Sequence, residues 1–536
     1  MNARTQHLLF LGALLTIGAA SALLLASVTP QGLSLSDDSI AYIAGARSIL
    51  QGTGYREIWL ASAQPVTHLP PGYSSLLALA GWAIRIDPLR AARLVNVLLM
   101  AASSIALGIL GWRMTASRIA GLALALVFST NPSLIRLHAF ALSEPLYIFV
   151  SLLTFLAVDQ CLRPVTPGSH MAGHADKSAP TRLVGFVLCG LLLGLAYLIR
   201  YAGLALIATV VVVVLLWFEG WGRRLWVVGL MLAGSLPWVL GWSMRNLLLG
   251  GSTTNRALTW HPISVDNIRM ALYNASTFLV PVEAWRGELV STPGLLEALL
   301  FILAASLLAW LGWVLLRQRR AGAFPEPISF LNGLYVLAYL VSLIVSMTLF
   351  DASTKFALRI LSPVYTSLLL LLVAAAAWLW RRHGVVGRLG AVAILVAQLV
   401  ISVLGSVAAV AELKNGPSGY ASFKWYDSKA MAQLRTLSAG VKIFTNEPGA
   451  VYLYTDRGAY VLPGMYDPVT ASPQDGFEVG VRIMQEEILA GQAVLALFDE
   501  ADLLPEESEA LTTGLFLIHK SGGDEIYAGG PEQELR

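Results

Sequence analysis

Residues 8–28, LLFLGALLTIGAASALLLASV, carry no charge, and a short link joins them to residues 36–55, SDDSIAYIAGARSILQGTGY. A helix needs about 20 apolar residues to cross a bilayer. The first stretch supplies them, and it is too long for the apolar region of a cleaved leader. It reads as a membrane span. The second stretch sets two adjacent acids, Asp37 and Asp38, just beyond that span, where they open a helix. A greasy rod followed at once by carboxylates decides the fold class: a polytopic α-helical membrane protein with polar chemistry at one surface.

The pattern of long apolar blocks recurs along the chain. Of its 536 residues, 56% are hydrophobic and 13% charged, about half the charge of a soluble protein. Eleven blocks read as spans: roughly 8–28, 91–112, 119–135, 144–161, 183–199, 203–218, 225–244, 295–316, 328–349, 360–380 and 389–411. The shorter block 73–84, after Pro70-Pro71-Gly72, reads as an interfacial or re-entrant helix. Asn131-Pro132 interrupts the third span.

Lys and Arg fix the expected orientation. Alternate short connections carry Arg4; Arg113 and Arg118; Arg163, Lys177 and Arg182; Arg223 and Arg224; Arg317, Arg319 and Arg320; and Arg381, Arg382 and Arg388. The positive-inside rule makes these cytoplasmic. The N-terminus is then inside, and the long loops 29–90 and 245–294 lie outside with the residues after 412. The expected location is the plasma (inner) membrane, crossed many times.

Charge divides the chain too. Residues 413–536 hold 9 Lys/Arg against 18 Asp/Glu, a net of −9, and residues 1–412 hold 27 against 15, a net of +12. The acidic part alternates strand-like and helix-like pieces: VKIFTN, PGAVYLYT, AYVLP, DGFEVGVRIMQEEILAG, AVLALFDE, PEESEALTTG, LFLIHK and EIYAG. It is expected to be a small α/β extracytoplasmic domain, 413–536, following a transmembrane domain, 1–412. The two cysteines, Cys161 and Cys189, sit in or beside apolar blocks and suggest no disulfide framework. No nucleic-acid partner is expected.

Candidate chemistry gathers at the outer ends of spans. Asp37 or Asp38 could cap a helix, but capping explains two adjacent acids less well than one, and either could take a proton from a hydroxyl. Glu144, in ALSEPLYIF (141–149), is a carboxylate at membrane depth, which is costly and therefore functional by default. Its plainer reading is a first-turn acid behind an N-cap by Ser143. His68, in PVTHLPPGY (65–73), is a candidate ligand, although lone loop histidines usually bind nothing. Arg200, Arg245, Lys355 and Arg359 stand on the outer side, where topology does not call for cations. Lys355 and Arg359, four apart, would share one face of a helix. Such cations suit a phosphate, or lipid headgroups. Together, outward acids and cations match what a lipid-linked phosphate donor needs.

The order of motifs resembles the GT-C glycosyltransferases, in the bacterial branch related to protein O-mannosyltransferases and the lipid A aminoarabinose transferase. The pieces are SDDSIAYIAGARSILQGTGY (36–55), PVTHLPPGYSSLLAL (65–79), ALSEPLYIF (141–149), LAYLIRYAGL (195–204), WSMRNLLLGG (242–251) and FALRILSPVY (356–365). The resemblance implies sugar transfer from a polyprenyl-phosphate donor to an acceptor glycolipid, polysaccharide or protein. It points to Asp38, four residues before Tyr42, as the base, ahead of Asp37, with Glu144 as the second acid. Arg359 and Lys355, with Arg245 and Arg200, would handle the donor phosphate. Tyr42, His68 and Tyr73 would line the substrate. Leu69 replaces the Lys that many relatives carry before the apolar helix. Asp38 and Glu144 could share a divalent cation, although no ligand cluster has diagnostic spacing. A transporter and a lipid-linked polysaccharide ligase or polymerase are the rival readings. No internal repeat favours the transporter.

Overall fold

The computed structural model describes residues 2–162, 179–254, 258–292, 294–321, 326–351, 353–467, 472–499 and 503–531. The expected inner-loop residues Arg163 and Lys177 lie outside the described residues.

The chain begins with α1 (Ala3–Val28), then α2 (Asp37–Leu50) and α3 (Gly72–Ile84) in the first loop. Next come α4 (Pro88–Thr115), α5 (Arg118–Thr130), α6 (Pro132–His138), α7 (Glu144–Leu162), α8 (Ala179–Ile199), α9 (Gly203–Trp217) and α10 (Trp221–Gly250). The second long loop forms α11 (Val265–Leu279) and α12 (Glu283–Ser291). The helices α13 (Leu295–Ala321), α14 (Pro327–Leu349), α15 (Leu358–Arg382) and α16 (Gly384–Lys414) complete the membrane part.

Every block expected to span is helical. Among the described residues, eight helices are long and apolar enough to cross a membrane, and α5–α6 makes a ninth if taken as one span bent by 61°. The bend has a local cause: Pro132 lacks an amide hydrogen and disfavours helix at the residue before it. Asn131 is accordingly extended, and its side chain caps Leu134. The remaining two blocks form the apolar helices α8 and α9, with apolar lengths below that of the spans. The most heavily buried spans are α4, α7, α14 and α15; α13 and α16 expose most of their apolar surface, as lipid-facing helices do.

After α16 the chain forms α17 (Phe423–Tyr426), α18 (Lys429–Thr436), β1 (Lys442–Thr445), α19 (Pro448–Thr455), β2 (Tyr460–Val461), β3 (Tyr466–Asp467) and β4 (Ser472–Pro473). It ends with α20 (Phe477–Leu489), β5 (Ala493–Leu497), α21 (Pro505–Thr512), β6 (Phe516–Ser521) and β7 (Asp524–Ala528). Five strands make one sheet in the order β2-β1-β5-β7-β6, with β1 parallel to β2 and β5, and β7 antiparallel to β5 and β6. The hairpin β3–β4 is separate. All five residues of β5 are buried, as a strand covered on both faces must be.

The two faces of this sheet join different cores. Leu495 and Leu497 pack with Met484 and Ile488 of α20. Val494, Ala496 and Ile526 belong instead to the same apolar core as Tyr42, Tyr73 and the membrane helices. One continuous core therefore runs from the bundle into the sheet.

Candidate active site

Two helices that carry acids start from a pair of short bridged segments. Ser34 and Leu35 precede α2, and Phe140 and Ala141 precede α7. The Ser34 amide donates to the Ala139 carbonyl at 2.9 Å, and the Ala141 amide to the Ser34 carbonyl at 3.2 Å. The two helices are thereby launched side by side at one end of the bundle.

At the start of α2, capping is done by serine: Ser39 Oγ accepts from the Ser36 amide at 3.0 Å. Both aspartates are left to longer-range partners. Asp38 Oδ2 accepts from Arg359 Nη1 at 2.5 Å. Asp37 Oδ1 accepts from the Tyr420 hydroxyl at 2.5 Å. Capping therefore does not account for either acid.

Arg359 sits in the first turn of α15, and its setting follows from LSP at 361–363. Pro363 cannot donate to the Arg359 carbonyl four residues back, and the Ser362 hydroxyl takes that carbonyl at 2.6 Å instead. The Tyr339 hydroxyl donates to Ile360 O at 2.8 Å and ties this turn to α14.

A second ion pair lies behind the first. Arg200 Nη1 is 2.8 Å from Glu144 Oε1 and donates to Ser143 Oγ at 3.0 Å. Ser143 also accepts from the Tyr42 hydroxyl at 3.0 Å. The Glu144 side chain is 1% exposed, against 35% for Asp38 and 38% for Arg359. Its Oε1 lies within ion-pair distance of Arg200, yet neither oxygen accepts a hydrogen bond of good geometry. Charge, not a directed bond, holds that pair. Burial works against the Arg200 charge, but Glu144, with Tyr339, Tyr42 and Asp38 beyond it, holds its pKa above the usual arginine value. Burial, and then the Asp38 charge, push the Tyr42 phenol well above its ordinary value, so it stays a neutral donor to Ser143. Asp38, Glu144, Arg200 and Arg359 thus form one cluster of balanced charge, with Asp38 and Arg359 its accessible members.

The other expected site residues are placed differently. Lys355 is exposed and not helical, because α15 starts only at Leu358; the expected shared helical face with Arg359 does not exist. The segment before it is held by a turn in which Asp351 Oδ1 accepts from the Ser353 amide and Oδ2 from the Thr354 hydroxyl. Arg245 lies within α10, and its guanidinium donates to the carbonyls of Val66 at 2.7 Å and Tyr55 at 3.4 Å while stacking over Trp242. It clamps the first loop; its donors do not point at the cluster. Asn246 and Tyr201 grip the neighbouring Thr67 carbonyl at 3.0 and 3.1 Å, so three of the motif pieces hold one another. His68 pairs with Glu57 at 3.1 Å. Tyr73 is fully buried, donates to Asn96 and meets Tyr42 edge-on at 5.2 Å. Tyr42 is buried as well. These two tyrosines pack α2 against α3 and, both being buried, offer no surface to a substrate.

A shared divalent cation does not fit the acids. Asp38 and Glu144 each already face a guanidinium, and no group of three or more His, Cys, Asp or Glu able to hold a metal ion occurs among the described residues. Hard divalent cations take several oxygens at once.

Four residues were missed as site members: Ser143 beyond its capping role, Tyr339, Tyr420 and Glu447. Tyr420 meets Asp37 across 383 positions of sequence, and no local spacing could announce that contact. A cavity of about 700 Å³ lies at the far end of α2, between Arg47, Asp87, Tyr452 and Asp456. Arg47 is nine residues from Asp38, about 14 Å along the helix, so the cavity is separate from the acid cluster.

The bundle, its acid-bearing first loop and the appended sheet define the class: a multi-pass membrane protein with the fold of the GT-C glycosyltransferases. Particular solved structures show the likeness. ArnT from Cupriavidus metallidurans, bound to undecaprenyl phosphate, is similar over 99% of both chains, with a TM-score of 0.57 at 15% identity. The oligosaccharyltransferase AglB from Archaeoglobus fulgidus, in complex with an inhibitory peptide and a dolichol-phosphate, is similar over 96% of this chain and 74% of its own, with a TM-score of 0.53 at 13% identity. No protein-family model matches the sequence, and no curated protein matches it by sequence.

Proposed function

We propose that this chain is a membrane glycosyltransferase. It moves a sugar from a polyprenyl-phosphate donor to an acceptor hydroxyl on the extracytoplasmic face of the plasma membrane, with its N-terminus cytoplasmic. The observation that carries the reading is the accessible pair of Asp38 and Arg359 at 2.5 Å, a base and a phosphate ligand within one hydrogen bond of each other. That the comparable folds include one bound to undecaprenyl phosphate and one to a dolichol-phosphate supports the donor class.

In this scheme Asp38 takes the acceptor proton. The acceptor oxygen attacks the anomeric carbon, the bond from that carbon to the phosphate oxygen breaks, and the polyprenyl phosphate leaves as the anomeric centre inverts. A guanidinium carries five N–H donors. Arg359 therefore has donors beyond the one on Asp38 with which to take up charge on the leaving phosphate, and exposed Lys355 adds a second cation. Behind them buried Glu144 holds Arg200, which in turn fixes Ser143 and, through it, Tyr42. Residues 1–412 form the catalytic membrane part and residues 413–536 an extracytoplasmic unit. The acceptor is a glycolipid, a polysaccharide or a protein.

The test is transfer of labelled sugar from polyprenyl phosphate into membrane glycolipid, polysaccharide and protein fractions. Asp38→Asn is expected to lower turnover by about 10²–10⁴ while melting like the wild type. Wild-type turnover in that variant would refute the assignment of the base. Uptake of label into vesicles without transfer would favour a transporter instead, and chain growth of the lipid-linked product a polymerase.

A further inference from the structure

The segment that leaves α16 returns to the start of α2. The Leu35 amide donates to the Ser418 carbonyl at 3.2 Å, and the Tyr420 amide to the Leu35 carbonyl at 2.9 Å. The Ser418 amide donates to Ser34 Oγ at 3.0 Å. Residues 418–420 therefore form a third bridged segment beside those that launch α2 and α7. Gly419, with φ +65°, makes this possible: a Cβ there would stand 1.9 Å from the Leu35 carbonyl oxygen.

The side chain of Tyr420 continues the connection. Its hydroxyl lies 2.5 Å from Asp37 Oδ1 and 2.7 Å from Glu447 Oε2. Glu447 stands at the carboxyl end of β1, at the N-cap of α19. At the head of α19, a Cβ on Gly449 would be 3.2 Å from both Ile40 of α2 and the Tyr420 ring. The ring is held in turn, since Tyr454 donates to the Tyr420 carbonyl at 2.9 Å. A phenol has one proton, so the Tyr420 hydroxyl stands between two carboxylates and can donate to one of them at a time.

We infer that Tyr420 is a positioning residue for the reaction, tying Asp37 to Glu447 so that the first turn of α2 keeps Asp38 turned toward Arg359. Successive residues on a helix are about 100° apart, so a tether on Asp37 sets the rotation of Asp38. The C-terminal unit acts on the chemistry through this hydroxyl, without touching substrate. Burial first, and then the Asp37 and Glu447 contacts, hold the phenol well above its usual titration range, so it remains a donor. The inference rests on the reading of Asp38 as the base.

The experiment uses the full-length protein with a polyprenyl-phosphate sugar and compares Tyr420→Phe, Glu447→Gln, the double variant and Asp38→Asn. Tyr420→Phe keeps the ring and removes the tether. It is expected to lower kcat about tenfold with the donor KM unchanged. Adding Glu447→Gln removes one of the two negative charges that the hydroxyl had joined, and the double variant is expected to recover part of the loss. A kcat within twofold of wild type in Tyr420→Phe would overturn the inference. So would a loss that Glu447→Gln leaves uncorrected, which is the behaviour of a residue that only stabilises the fold. Full activity in Asp38→Asn would overturn the underlying reading of the base; an inactive Asp38→Asn beside an unimpaired Tyr420→Phe would overturn the positioning role alone.

Discussion

Asp37 and Asp38 are chemically identical neighbours with different work, and their partners separate them. Asp38 faces a cation from the membrane bundle, and Asp37 a phenol from the C-terminal unit. The same reasoning separates the cations. Arg200 faces a buried acid and Arg245 holds backbone carbonyls, so neither can be removed without disturbing the fold. Lys355 is exposed, four residues before Arg359, with no ion pair among the described residues, and in the proposed reaction it is the second cation for the donor phosphate. It is therefore the cation whose loss reads most cleanly on donor binding. Lys355→Ala is expected to raise the donor KM about two- to fivefold with kcat and melting temperature unchanged. Raising the salt concentration should lift the wild-type KM toward that of the variant, since an exposed charge is screened over about 10 Å at 0.1 M. Steady-state kinetics at two ionic strengths checks both, and an unchanged KM would remove Lys355 from the donor site.

Among elements, the legible and the illegible part along one line: whether the signal is local. The long apolar blocks could be read because hydropathy accumulates within a single helix, and the Asn131-Pro132 bend could be seen because proline acts on its own neighbours. The five strands of the tail's sheet and the helices α19, α20 and α21 followed from the same kind of local pattern, whereas α17, α18 and the hairpin β3–β4 did not. The bridged segments 34–35, 140–141 and 418–420 carry no such signal, being too short for a period and paired with distant parts of the chain. The shared helical face of Lys355 and Arg359 failed for a related reason. Spacing of four means a common face only inside a helix, and the turn closed by Asp351 takes up Ser353 and Thr354 while α15 starts only at Leu358. The importance of the bridged seam can be tested at its tightest point. Gly419→Ala would place a Cβ against the Leu35 carbonyl oxygen and force an L-residue to φ +65°, a conformation that alone costs roughly 1–2 kcal/mol. The variant is expected to melt earlier in detergent and to lose transfer activity. Gly440→Ala, where nothing lies within 4 Å of the added carbon, serves as the control and should do neither. Equal melting of the two variants would mean that the seam contributes nothing to the fold.

At the scale of the whole molecule, the acids and cations of the cluster all lie at one end of the bundle. Asp38 follows the exit of α1, Glu144 opens α7, Arg200 follows α8 and Arg359 opens α15. The sheet unit joins the same end, since the seam with Leu35 and the continuous core both require it. Which side of the membrane this end faces bears on the donor. The interior of the cell offers soluble nucleotide sugars; the exterior offers only donors that cross as lipid-linked sugars. The basic residues at the opposite end, such as Arg381 and Arg382 in the last turn of α15, lead us to expect that end in the cytoplasm. The prediction can be read directly by cysteine labelling in a background in which Cys161→Ala and Cys189→Ala remove the two native thiols. Asp475→Cys, on an exposed turn before α20, is expected to react with a membrane-impermeant maleimide in right-side-out vesicles. Arg382→Cys, exposed at the other end of α15, should react only after permeabilisation. The reverse pattern would place Asp38 and Arg359 in the cytoplasm, within reach of nucleotide donors, and would remove the reason for expecting a polyprenyl phosphate at this site.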